Sequence, residues 1–216
     1  MTRQSLTGQG AAGQPVSAPG DRRASRSRET KETRIEITVD LDSQEAPVVD
    51  TGLPFFDHML EQLGKHGGFR LTVRGEGDLD VDAHHTVEDV GILLGATLAD
   101  AMGDKAGIRR FASLSLPLDE SLVDVALDVS GRPFLHYSVD CARDSTPLGN
   151  PAFEPQLAEE FWRAFVHSAD VTLHISLRYG RNPHHVLEAS FKGVARALRD
   201  ALTVTGGDIP STKSIL

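Results

Sequence analysis

One cysteine, one tryptophan and two tyrosines are all that 216 residues hold of those three types. With Cys141 alone, an internal disulfide and a cysteine-based zinc site are both excluded, and Cys141 itself reads as a buried or incidental thiol. No apolar run is long enough to cross a bilayer. Positive charge is short as well. The 22 Lys and Arg stand against 31 Asp and Glu, and the resulting −9 opposes non-specific binding to nucleic acid. A Walker loop, a G-x-S-x-G elbow, an H-E-x-x-H helix and a C-x-x-C pair are all missing. The expected setting is therefore cytoplasmic, with neither a membrane nor a nucleic acid as partner.

Apolar residues are nearly absent from Met1 to Thr30, a stretch of Gly, Ser, Gln, Pro and Ala that ends in Asp21-Arg-Arg-Ala-Ser-Arg-Ser-Arg28. Such a segment cannot offset its own ordering entropy, and it lacks the hydrophobic core of a signal peptide. Residues 1–30 are expected to form a disordered tail; the arginines and serines leave organelle targeting as the alternative.

Histidine, by contrast, is concentrated. Of nine histidines, four fall in His84-His85-Thr86-Val87-Glu88 and His184-His185-Val186-Leu187-Glu188, which stand one hundred residues apart. At about 100° per helical residue, Glu88 lies about 40° round from His84 and about 60° from His85, so all three are expected on one face. A single such word is most simply a polar first turn in water. Its recurrence, with a carboxylate each time, points to a pair of divalent transition metals; without thiolate the donors suit Mn, Fe, Co, Ni or Zn. Three side chains do not complete a coordination shell. His58 is the leading addition, with Asp57 either a partner fixing its tautomer or an acid of the helix turn. His174 reads equally as a ligand or as a structural histidine within a strand. His136 and His167 have no comparable context.

The pattern around the motifs is duplicated. Alternation predicts strands at Thr33–Leu41 and Ala46–Asp50, the second pairing with the first, and at Phe69–Arg74. Helices are expected from Pro54 to about His66, ended by Gly67-Gly68, and from about His84 to Met102. From Ile108 onward, strands follow at Phe111–Leu116, Leu122–Val129, Phe134–Val139 and Val171–Leu177. A helix through about Ser168 precedes the last strand, and another runs from His184 to about Leu202. The order strand, strand, helix, strand, helix recurs, and Leu98, Asp100 and Ala101 match Leu198, Asp200 and Ala201 at the same offset. The predicted fold is α+β, in two repeats over residues 31–107 and 108–216, with helices covering one face of each small sheet. Each motif then opens a long helix, where the unpaired N–H groups also suit an anionic ligand.

Taken together, Pro54-Phe-Phe-Asp-His-Met-Leu60, Asp82-Ala-His-His-Thr-Val-Glu-Asp89, Ser130-Gly-Arg-Pro133, His184-His-Val-Leu-Glu188 with Phe191-Lys192, and Pro210-Ser-Thr-Lys213 resemble the imidazoleglycerol-phosphate dehydratase family. The likeness runs from about Thr30 to the C-terminus. It implies a hydro-lyase of histidine biosynthesis that converts imidazole glycerol phosphate to imidazole acetol phosphate. It also implies four helices layered between two small mixed sheets (ribosomal protein S5 domain 2-like), and 24 subunits assembled around two manganese ions per active site. The substrate ring would bind as an imidazolate between the metals. One metal would take His58, His85, His184 and Glu188; the other would take His84, Glu88, His185 and one more group. Of these, His84 and Glu188 would also be counted among the catalytic groups. Glu32 matches the family's proton-transfer glutamate, although an exposed strand-edge acid explains it equally. Resemblance further assigns Gln62, His66, Arg110, Arg132, Lys192, Ser211 and Lys213 to the phosphorylated substrate.

One position departs from the family. Where members carry a histidine before the Thr-Leu-His strand, this chain has Glu160, and His167 lies about 10 Å further along that helix. Glutamate also binds Mn(II). A second carboxylate brings the site close to neutrality, however, so altered metal preference or reduced turnover is expected. Two other readings stay open: a paralogue that keeps the assembly but has lost the chemistry, and a different dinuclear metallohydrolase.

Overall fold

The structure, a computed structural model, describes residues 21–140 and 146–213. Residues 1–20 of the expected tail, and Cys141, lie outside the described residues.

Alternating burial along Thr33–Asp40 turns Ile35, Ile37 and Val39 inward, as a half-buried strand requires. This strand, β2, lies between β1 (Arg23–Glu29) and β4 (Arg70–Gly77), and β3 (Val48–Asp50) takes the far edge of β4. The second sheet repeats that order as β5-β6-β8-β7, from β5 (Phe111–Leu118), β6 (Ser121–Asp128), β7 (Phe134–Ser138) and β8 (Thr172–Tyr179). Only the β3–β4 and β7–β8 pairs are parallel, so both sheets are mixed. Between the sheets lie α1 (Pro54–Gly67), α2 (His84–Met102), α3 (Leu157–Ala169) and α4 (Pro183–Ala201). The α+β class and the four-helix layer are as expected.

Two expectations are corrected. Order begins before Thr30: Arg23–Glu29 is a full edge strand paired antiparallel with β2, so the first repeat opens there and not at residue 31. Of the inward positions of β1 only Ala24 is apolar and fully buried; the other two are Arg26 and Arg28. Arg26 donates to both Asp100 oxygens of α2 at 2.6 and 3.0 Å, and Arg28 donates to Asp89 at 2.9 Å. At Arg26 and Arg28, ion pairs to a distant helix therefore do what apolar burial does in the other strands. The second correction concerns β3, which pairs with β4 and not with β2. A strand has two hydrogen-bonding edges, and those of β2 are occupied by β1 and β4.

The halves share one helical layer. α1 packs against α4 and α2 against α3, so each helix pair takes one member from each repeat. The scarce aromatics gather where these pairs meet. Phe161 of α3 touches Phe56 of α1 and Phe191 of α4, each with ring centroids 5.4 Å apart, and Trp162 lies 4.7 Å from Phe191. The α2–α3 crossing depends on glycine. A Cβ at Gly95 would stand 2.4 Å from the Phe165 carbonyl oxygen, and one at Gly91 would stand 2.7 Å from that of Phe161. Gly95→Ala must push the helices apart. It is expected to destabilise the fold by about 3 kcal/mol, the upper end for overpacking a core. Thermal unfolding checks this, and an unchanged midpoint would show that the crossing tolerates a methyl group.

Candidate active site

Both motifs open their helices, and a side-chain oxygen two residues ahead takes the first free N–H: Asp82 Oδ1 accepts from His84 N at 2.7 Å, and Asn182 Oδ1 from His184 N at 3.0 Å. On α4, one helical turn brings His184 Nε2 to 3.1 Å from Glu188 Oε2. α1 delivers His58, whose Nε2 is 3.7 Å from Glu188 Oε1. Donor atoms of His58, His184 and Glu188 all lie within 4.8 Å of one another. Burial pushes the Glu188 carboxyl up, but the Lys192 hydrogen bond and charge, with His58 and His184 beside it, outweigh burial and leave its pKa below the usual range. Two imidazoles and an ionised carboxylate at this spacing fit a divalent transition metal. Asp57 is the helix-turn acid and not a partner of His58. It accepts from the Thr51 N–H at 2.9 Å and from the Thr51 hydroxyl at 2.6 Å.

Gln62, His66 and Lys192 surround this cluster. The Gln62 amide lies between His58 Nδ1, at 3.3 Å, and His66 Nε2, at 3.2 Å. Lys192 Nζ is 2.7 Å from Glu188 Oε1. Burial, and then the charges of Lys192, Lys65 and Arg196, push the His66 pKa down and favour a neutral ring.

The other helix pair carries the counterpart. Glu160 holds on α3 the place that His58 holds on α1, 102 residues earlier, as His84 and Glu88 match His184 and Glu188. Glu88 and Glu160 line one cleft of about 390 Å³ between α2 and α3, with Ile92, Ala164, His167 and Ser168. The counterparts of Gln62, His66 and Lys192 are thus Ala164, Ser168 and Ile92. The two sets share a frame, but among the described residues only His58, His184 and Glu188 bring their donor atoms together; His84 does not line the Glu88–Glu160 cleft, and Glu160 faces Arg163 Nη1 at 3.9 Å.

The expectation that each motif keeps its three side chains on one face is corrected. The paired rings stand nearly perpendicular, at 85° in both motifs. His85 Nδ1 donates to Asp78 Oδ2 at 3.1 Å, and His185 Nδ1 to Glu120 Oε2 at 2.7 Å. These carboxylates draw the second histidine away from the first, and neither His85 nor His185 joins the His58–His184–Glu188 cluster of its own chain. The bonds hold both rings protonated above the usual histidine range, and the His185 bond brings the Glu120 carboxyl down to about 2. Glu32 stands on the β1–β2 turn, 3.9 Å from His85 Nδ1. His174 and His136 lie side by side on the exposed face of the second sheet, rings 5.5 Å apart, outside both clusters.

Arg110, Arg132, Ser211 and Lys213 converge, with Ser130 and Gly131, on an open cleft of about 860 Å³. Lys192, grouped with them by resemblance, sits at Glu188 instead. Arg110 donates through Nε and Nη2 to Asp128 at 2.8 and 3.3 Å, and through Nη1 to the Pro210 carbonyl at 2.8 Å. Three of the five guanidinium N–H bonds are thereby used, which leaves two for an anion. Sequence reasoning passed over Asp78, Glu120 and Asp128. Each is an ordinary acid in its local context, so its partner had no local signal.

The imidazoleglycerol-phosphate dehydratase family model matches residues 51–198. A dehydratase of that name from Xanthobacter autotrophicus is 50% identical, over 90% of this chain and 98% of its own length. One from Anaeromyxobacter dehalogenans is 47% identical, over 98% of this chain and all of its own. The crystal structure of the Staphylococcus aureus dehydratase superposes with a TM-score of 0.75 at 36% identity, covering 85% of this chain and 99% of that one. The Pyrococcus furiosus dehydratase, solved in complex with (S)-C348, gives 0.73 at 30% identity, covering 88% of this chain and 99% of that one.

Proposed function

The chain belongs to the imidazoleglycerol-phosphate dehydratase family, and from that premise we propose that its two His-His-x-x-Glu clusters bind a pair of Mn(II) ions that serve the dehydration. The protein is a hydro-lyase of histidine biosynthesis. The observation that carries the metal reading is the convergence of His58, His184 and Glu188, whose donor atoms all lie within 4.8 Å of one another. His84, Glu88 and Glu160 would hold the second ion. When bound, the metals would supply the positive charge that stabilises the substrate ring as its anion. Glu32 would take the carbon-bound proton and pass it to the neighbouring hydroxyl, whose C–O bond breaks as it departs as water. Arg110, Arg132, Ser211 and Lys213 would hold the phosphate, and Gln62, His66 and Lys192 would orient the substrate beside the first cluster.

The His58–His184–Glu188 cluster offers three ligands from one chain, while His85 and His185 turn outward toward Asp78 and Glu120. Completion by a neighbouring copy would account for this and supports self-association; the count of 24 subunits and the cytoplasmic setting rest on the family resemblance. No helix among the described residues is long and apolar enough to cross a membrane.

Metal analysis of the purified protein, combined with a dehydration assay on imidazole glycerol phosphate, tests the proposal. Two Mn(II) per chain and activity lost on chelation are expected. Metals about 3.5–4 Å apart would instead favour a hydrolase, because ions on opposite nitrogens of one ring stand further apart. A pH titration gives a separate check. Protons and metal compete for the Nε2 lone pair of His85 and His185, and both rings hold their proton above the usual range. Mn(II) affinity should therefore fall as pH drops, beginning above the ordinary histidine value of about 6.5. Calorimetric titration that gives one affinity from about pH 6 to 8.5 would remove these histidines from the ligand set.

A further inference from the structure

Gly77 and Gly180 occupy one position in the two repeats. A Cβ on Gly77 would meet Thr86 Oγ1 at 2.0 Å and Thr33 at 3.5 Å; one on Gly180 would meet Ser121 Oγ at 2.6 Å and Val186 at 2.7 Å. Thr86 and Val186 are matching motif residues, and Thr33 and Ser121 open matching strands. The loops that follow the two glycines differ. Six residues separate Gly77 from His84, but only Arg181, Asn182 and Pro183 separate Gly180 from His184. The longer loop carries Asp78, which accepts from His85 Nδ1. The shorter loop has no carboxylate. In its place Glu120 accepts from His185 Nδ1 through Oε2, and from the backbone N–H groups of Asn182 and Arg181 through Oε1 at 2.8 and 3.3 Å. Glu120 immediately precedes Ser121 as Glu32 precedes Thr33, so Glu120 is the repeat counterpart of Glu32.

We infer that Asp78 and Glu120 are the positioning residues of His85 and His185, and that Asp78, by holding His85 itself, releases Glu32 from the duty its counterpart still performs. The inference rests on the reading of these histidines as metal ligands. A carboxylate at Nδ1 fixes the tautomer that leaves the Nε2 lone pair open and sets the plane of the ring. Glu32 stays 3.9 Å from His85 with its side chain 55% exposed, whereas both carboxylate oxygens of Glu120 are hydrogen-bonded and its side chain is 30% exposed.

The two positions therefore predict different losses. Glu120→Gln should weaken Mn(II) binding about 10- to 100-fold, the usual cost of losing such a partner, and at saturating metal lower kcat by less than the matching change at Asp78. Asp78→Asn should weaken binding by a similar factor and also lower kcat at saturating metal, because His85 then competes for Glu32. That second loss should vanish in a Glu32→Gln background, where there is no carboxylate left to capture. Asp78→Glu, which keeps a carboxylate on the loop, should recover most of the affinity and show that the chain still folds. Calorimetry with Mn(II) alone reads affinity, and steady-state kinetics at saturating metal separates kcat from KM. Identical kcat values for Asp78→Asn and Glu120→Gln at saturating metal would overturn the release of Glu32. Unchanged affinity in both variants would overturn the positioning role. A wild-type protein that binds no Mn(II) would instead remove the metal reading, and this inference with it.

Discussion

Glu188→Ala is expected to lower turnover by at least about 10³-fold, the equivalent of about 4 kcal/mol of metal-ion stabilisation, and to leave the first site without its metal. Glu188 is the hub of its cluster, with His184, His58 and Lys192 at 3.1, 3.7 and 2.7 Å. Its loss removes a ligand and also leaves Lys192 and the two imidazoles without a counter-charge, so the remaining cavity repels a cation. The side chain projects from a helix whose packing rests on Val186, Leu187 and Ala189, all fully buried, and the fold should survive. Metal content and kcat measured on one preparation check the result. Full metal content with ordinary turnover would take Glu188 off the ligand list.

Glu160 should give the second largest effect. Glu160→Ala is expected to cut bound metal from two ions to one per chain and turnover by about 100-fold, since one of two Lewis-acid sites is lost. Glu160→His tests charge separately from ligation. With both Glu88 and Glu160 ionised, a bound Mn(II) is nearly neutralised; a histidine restores about one positive charge facing the anion that develops on the substrate. A gain in turnover, on the order of several-fold, should follow. If alanine alters neither stoichiometry nor rate, Glu160 is not a ligand. If histidine binds metal without a gain, the charge argument fails and ligation stands.

Much of this organisation was legible because it is periodic. Ile35, Ile37 and Val39 declare a strand without reference to anything else in the chain. The repeated His-His-x-x-Glu declares two helix starts, and Pro54 and Gly68 bound α1 by backbone geometry alone. β1 was not legible. Its inward side chains are the small Ala24 and then Arg26 and Arg28, whose partners Asp100 and Asp89 lie 74 and 61 residues away. The same holds for Asp78, Glu120 and Asp128, each of which takes its role from a residue that folding brings to it.

The doubled motif by itself determined that the chain would present two like sets of imidazole and carboxylate side chains at helix starts, because helical spacing is a local property carried by five residues at a time. Tertiary structure alone decided which histidine of each pair joins which group. It set α1 of one repeat against α4 of the other, so His58 meets His184 and Glu188, and it turned His85 and His185 away toward carboxylates on separate loops. It also decided that the groups would be unequal. A three-residue difference between two loops assigns Glu120 to hold a histidine and leaves Glu32 free of that task. The physical reason is range: backbone periodicity acts over a single turn, whereas the partner of a charge is set by packing between elements far apart in the chain.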